Sequence, residues 1–160
     1  MDALLTAIVV WLSANYGLPA IFDQPRVERV PSIEMAALRH KGLPASSRGG
    51  STIEDLESSA ERMRDVVAVY NDQTRTIYLS DKWAGRTPAE LSVVVHEMVH
   101  HLQNAAGITY ECPAAREKLA YESQDKWLGL FGRSIESEFQ INGLALLIST
   151  SCAMTEGFPP

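Results

Sequence analysis

The chain predicts an α+β fold, and three observations carry that expectation. Residues 66–80 hold two β-branched and aromatic runs split by a short polar turn. Thr87-Pro88-Ala89-Glu90 combines an N-cap residue, a proline at the first helical position and a glutamate at N3, and apolar residues follow it at helical spacing. Pro113 opens a second stretch with the same period. Together these describe a small sheet with a β-hairpin preceding one amphipathic helix, and another helix after it. With 160 residues, 46 % of them hydrophobic, the chain is expected to build a core as a single domain over residues 1–160.

Leu4, Leu5, Ile8, Val9 and Leu12 predict an N-terminal helix ending near Gly17-Leu18-Pro19. The apolar run is too short to span a bilayer. Met1-Asp2, with no Lys or Arg before Arg26, also lacks the basic start of a signal peptide, so this helix is expected to dock in the core. Arg26 to Val30 reads as a strand and Ile33 to Arg39 as a short helix. Ala45-Ser46-Ser47-Arg48-Gly49-Gly50-Ser51 predicts a mobile loop at about residues 45–52. Ile53, Leu56, Ala60 and Met63 fit either a charged surface helix or a disordered stretch.

In the hairpin, Val66 to Tyr70 is the first strand, Asn71-Asp72-Gln73-Thr74 the turn and Thr76 to Ser80 the second strand. The helix after Thr87 repeats Leu91, Val94, Val95, Met98 and Leu102 on one face, and Gly107 is its stop signal. The next helix runs from Pro113 to about Phe131 and stops at Gly132, with Glu117, Ala120, Tyr121, Gln124, Trp127, Leu128 and Phe131 as its inward stripe. Leu144 to Ile148, after a capping Asn142, is apolar all round and is expected to close the core, as a helix rather than a strand.

The chemistry concentrates in His96-Glu97-Met98-Val99-His100. On a helix, residues i and i+4 share a face, so both imidazoles reach one ion at the roughly 2.0–2.1 Å that zinc requires. Glu97 is turned about 100° from His96, which lets it act on a metal-held water without being a ligand. Three of the four histidines in the chain lie between positions 96 and 101, beside the apolar run Val93 to Val95. Exposed histidines have no reason to gather there.

A catalytic zinc takes three protein ligands and keeps one position for water. His101 lies about 100° around the helix from His100 and reads as a neighbour of the site or a surface residue. No later histidine completes an HExxHxxGxxH pattern, so the third ligand must be acidic. Glu117 lies on the inward stripe of the second helix, whereas Glu122 projects with Lys118, Asp125 and Lys126 on its solvated face. The alternative for Glu117 is an ordinary contact with Tyr121 or Arg116 at a helix start.

HEMVHH, followed by the REKLAY segment from Arg116 to Tyr121, resembles the zincin metallopeptidases, specifically the gluzincin branch in which a Glu on a second helix completes the site. The stretch from Tyr70 to Leu128 also resembles a group of small bacterial HExxH proteins classed as a domain of unknown function. The resemblance implies a minimal zincin-like domain with one Zn²⁺ per chain. His96, His100 and Glu117 would be the metal ligands, Glu97 the general base, and a peptide or protein the substrate. It also implies an edge strand that pairs with extended substrate, for which Thr76 to Ser80 is the candidate, an ordinary core strand being the alternative. Tyr110, Tyr121 and His101 are candidates for stabilising the oxyanion. Two features depart from the pattern: the step from His100 to Glu117 is shorter than in thermolysin-like enzymes, and Tyr121 stands where an acid follows the Glu ligand. A zinc-stabilised binding or structural domain without turnover is the reading from another class.

A net charge of −6, with Lys and Arg scattered, argues against nucleic acid as a partner. The missing signal peptide and membrane span point to the cytoplasm. A disulfide between Cys112 and Cys152 would instead point to the periplasm or the exterior; buried reduced thiols are the alternative. Neither cysteine has CxxC spacing, so a zinc role for them is not expected.

Overall fold

A computed structural model describes residues 1–31, 34–35 and 68–152. The loop expected at 45–52 and the helix or disorder expected after it lie outside the described residues. Of the short helix expected at Ile33 to Arg39, only Glu34 and Met35 are described, and both are helical. The fold is α+β and comprises two compact units, Met1–Gln24 with Gly85–Pro160, and Pro25–Ala84.

The second unit carries a three-stranded sheet made of β1 (Arg26–Val30), β2 (Ala68–Asn71) and β3 (Thr76–Ser80). β2 and β3 form the expected antiparallel hairpin, with Ala68 opposite Leu79 and Asn71 opposite Thr76. Asn71 closes the turn by accepting at Oδ1 from the Gln73 and Thr74 amides, both at 3.0 Å, and Arg75 takes the left-handed φ of 52° that returns the chain.

The expectation of an edge strand fails. β1 pairs parallel with β3, from Arg26 opposite Thr76 to Val30 opposite Ser80, so the order is β1-β3-β2 and β3 is central. Both sides of its backbone are committed to ladder bonds, and Ile77 and Leu79 are fully buried. Thr76 to Ser80 is the ordinary core strand of the two readings; among the described residues the sheet edges are β1 and β2.

The first unit is helical, with α1 (Asp2–Tyr16), α2 (Pro88–Ala105), α3 (Pro113–Gly129), α4 (Ile135–Phe139) and α5 (Gly143–Ser149). α1 buries Leu5, Ile8, Val9 and Leu12 and ends at Gly17, whose φ of 65° is the left-handed cap that glycine adopts without strain. No helix among the described residues is long and apolar enough to cross a membrane.

α2 begins with the capping box read from the sequence: Thr87 Oγ1 accepts from the Glu90 amide at 3.1 Å, and Glu90 Oε2 accepts from the Thr87 amide at 3.0 Å. Every residue from Ser92 to Gln103 is buried, so α2 is enclosed on all sides. α3 packs along it, α1 also packs on α2, and α4 and α5 rest on α3. Trp11 of α1 meets Trp127 of α3 edge to face at 5.4 Å, and the Tyr16 hydroxyl donates to the Glu122 carbonyl at 3.0 Å.

Two expectations about the far end of this unit need correction. α3 stops at Gly129 and turns through Gly132, so Phe131 leaves the inward stripe and is 50 % exposed. α5 is a helix, capped by Asn142 Oδ1 accepting from the Ala145 amide at 2.9 Å, but it does not close the core. Leu144, Leu147 and Ile148 are 66 %, 62 % and 45 % exposed. Although α5 rests on α3, none of its residues is buried. A disulfide joins Cys112, the N-cap of α3, to Cys152 beyond α5, with 5.8 Å between the Cα atoms.

Candidate metal centre

The helical repeat of α2 brings the His96 and His100 rings to one point, and the facing side of α3 brings Glu117 to the same point. His96 Nε2 lies 3.2 Å from His100 Nε2 and 3.2 Å from Glu117 Oε2, while His100 Nε2 lies 3.3 Å from Glu117 Oε1. Each residue offers one ligand atom, and the three atoms lie within 4.8 Å of one another. The imidazoles are closed in and the carboxylate side is open: side-chain exposure is 11 % and 9 % for His96 and His100 against 34 % for Glu117.

The protonation of both rings follows from their neighbours. The Arg116 guanidinium Nε only donates, and it donates to Gln103 Oε1 at 3.2 Å; the Arg116 carbonyl only accepts, and it accepts from Gln103 Nε2 at 3.2 Å. The Gln103 amide therefore has one orientation. Its oxygen stands 3.1 Å from His100 Nδ1, so Nδ1 must carry the proton. On the other ring, Ser92 Oγ donates to the Ala89 carbonyl at 2.7 Å and accepts from Gln124 Nε2 at 3.2 Å, which turns Gln124 Oε1 towards His96 Nδ1 at 3.1 Å. His96 Nδ1 is a donor for the same reason. In the neutral imidazoles both Nε2 atoms are then bare lone pairs.

With Nδ1 the donor, Nε2 of a neutral ring is a lone pair facing the carboxylate and the other Nε2, and positive charge among the three, a metal ion or a ring proton, relieves their repulsion. His96, His100 and Glu117 thus form a group able to hold a metal ion. Burial alone pushes the Glu117 carboxyl up, but hydrogen bonds and charge from His100 and His96 outweigh it and hold the group well below the usual carboxylate range. Positive charge at this point, from a ring proton or a metal, keeps Glu117 ionised.

Glu97 is buried on α2 and stands outside the three-residue group. Glu122 is exposed on α3, as its place on the helix predicts. His101, read as a site neighbour or a surface residue, is fully buried and donates from Nε2 to the Asp23 carbonyl at 2.8 Å, apart from the three-residue group. Tyr121 packs edge-on against His96 with 4.7 Å between ring centroids. The Tyr110 hydroxyl is pushed up by burial, partly offset by the Arg116 charge and a hydrogen bond to Gln103.

Sequence reasoning missed Ser92 and Gln103, saw Arg116 only as an alternative contact of Glu117, and saw Gln124 only as a stripe position. The available signal was spacing: Gln103 is three residues after His100, Ser92 four before His96 and Gln124 seven after Glu117. Buried polar side chains at such positions must have partners.

No curated protein and no solved structure matches the chain. The model of the family described as Domain of unknown function (DUF6647) matches it over residues 1–160, and the chain belongs to that family.

Proposed function

We propose that the protein is a zinc-dependent hydrolase of peptide bonds. The observation that carries this reading is the ligand set itself: two imidazoles whose Nδ1 atoms face amide oxygens and whose Nε2 atoms converge, and one carboxylate on the exposed side, with the buried Glu97 next to His96 in sequence. Two nitrogens and one oxygen suit zinc among the common ions. Three protein ligands are the number found in catalytic sites, whereas structural sites close with four.

Zinc, when bound, supplies the positive charge that acidifies a water and polarises the scissile carbonyl. The chain's own residues do the rest. His96, His100 and Glu117 hold the ion, and Glu97 takes the proton from the attacking water and returns it to the leaving amine. One water adds across one peptide bond, and Glu97 ends in the state in which it began. The Cys112–Cys152 disulfide supports work in an oxidising compartment, the periplasm or the exterior, over the cytoplasm.

The test is a peptide-library cleavage assay on zinc-loaded protein beside its Glu97→Gln variant. The variant should keep its zinc and lose at least about a hundredfold in turnover, the usual size of a general-base contribution. Unchanged turnover would remove Glu97 from the mechanism, and a zinc-loaded parent inert across the library would favour the binding or structural role.

A further inference from the structure

We propose that Gln103 and Gln124 are positioning residues that fix both metal-binding imidazoles in the Nδ1-protonated form through a pair of neutral amides. The inference rests on the metal-centre reading above and deepens it. Each amide is itself oriented by groups with a single hydrogen-bonding sense. Arg116 grips Gln103 at both ends, through its Nε and its carbonyl, and donates from Nη2 to the His100 carbonyl at 3.1 Å, tying that grip to the backbone of the ligand. Ser92, committed as a donor to the Ala89 carbonyl, orients Gln124. Gln103, Gln124 and Ser92 are almost wholly inaccessible, so water cannot replace these partners.

The chemical consequence lies in charge. A carboxylate on the far nitrogen of a ligating histidine raises the basicity of the ring and neutralises part of the metal's charge. A glutamine holds the same proton without doing so. Zinc held by two such rings and one carboxylate keeps a net charge of +1, so the amide pair trades affinity for a more strongly polarising ion. Substitution should then move zinc affinity in opposite directions. Gln103→Met and Gln124→Met remove the acceptor and should each weaken zinc by about 10–100-fold. Gln103→Glu and Gln124→Glu keep the acceptor and add charge, and should bind zinc at least as tightly as the parent. A residue that only supported packing would weaken zinc in both series.

The experiment is a competitive zinc titration of these four variants, with folding checked by circular dichroism. Beside it, long-range proton–nitrogen NMR of the metal-free parent locates the ring protons of His96 and His100 and needs no variant. Protons on Nδ1 of both rings, with the opposed affinity shifts, are the expected result. Nε2 protonated with Nδ1 bare in the folded metal-free protein, or equal weakening by Met and Glu, would overturn the proposal. Should the Met variants fail to fold, the Glu variants and the parent spectrum decide it. Failure of the metal reading itself looks different: the parent and its His96→Ala variant would bind zinc equally, while the NMR result would still judge the ring protons.

Discussion

Helices α2 and α5 treat their side chains in opposite ways. α2 buries Ser92, His96, Glu97, His100, His101 and Gln103, whereas α5 leaves Leu144, Leu147 and Ile148 exposed. A buried polar group without a partner costs about 1–3 kcal/mol, so α2 tolerates its set only because the hydrogen bonds are closed: Gln103 on His100 and Arg116, Gln124 on His96 and Ser92, His101 on the Asp23 carbonyl. An exposed leucine costs little by comparison. The contrast teaches where to look for function: His96, His100 and Gln103 of α2, with Glu117 and Gln124 of α3, are organised around one point.

The largest effect expected from this contrast is at the point of convergence. His96→Ala or His100→Ala should abolish metal binding, as measured by metal analysis after dialysis, because two remaining ligands hold zinc poorly. Full metal content in both variants would refute the ligand assignment.

Next comes the covalent tie at the α5 end. Cys112 and Cys152 are separated by 40 residues, and the chain-entropy model gives a loop of that length a stabilisation of about 4 kcal/mol. Reduction should lower the denaturation midpoint accordingly, and hydrogen exchange should show α5 opening first. An unchanged midpoint in the reduced protein would mean that α5 does not depend on the tie.

The smallest effects separate the helices by side chain. Leu102→Ala, in the enclosed α2, should cost roughly 3 kcal/mol in denaturant unfolding, whereas Leu147→Ser on α5 should stay within about 0.5 kcal/mol. Comparable losses at both positions would place Leu147 in the core after all.

The same contrast explains what could be read from the sequence. α2 was legible to its first residue because Thr87, Pro88 and Glu90 are local signals, and the phase of the helix then selected Glu117 over Glu122 on α3. The β2–β3 hairpin was legible for the same reason. The central position of β3 was not, because its second partner, β1, lies about 50 residues away in sequence and no local pattern announces a parallel neighbour. Nor could the composition of α5 reveal its exposure: a run that is apolar all round carries no phase, and only the surfaces packed against it decide how much of it is buried. The amides of Gln103 and Gln124 stayed hidden because glutamine is common on helix surfaces, and its role here depends on Arg116 and Ser92 being turned towards it.

The central claim is that His96, His100 and Glu117 together hold one zinc ion. A competitive zinc titration of the parent beside Glu117→Ala and Glu122→Ala tests it most directly, since both carboxylates belong to α3 and only Glu117 reaches the two imidazoles. One zinc per parent chain is expected, with affinity reduced by orders of magnitude in Glu117→Ala, while Glu122→Ala changes affinity little and shifts stability by no more than about 0.5 kcal/mol. Equal, small effects of the two substitutions would contradict the account.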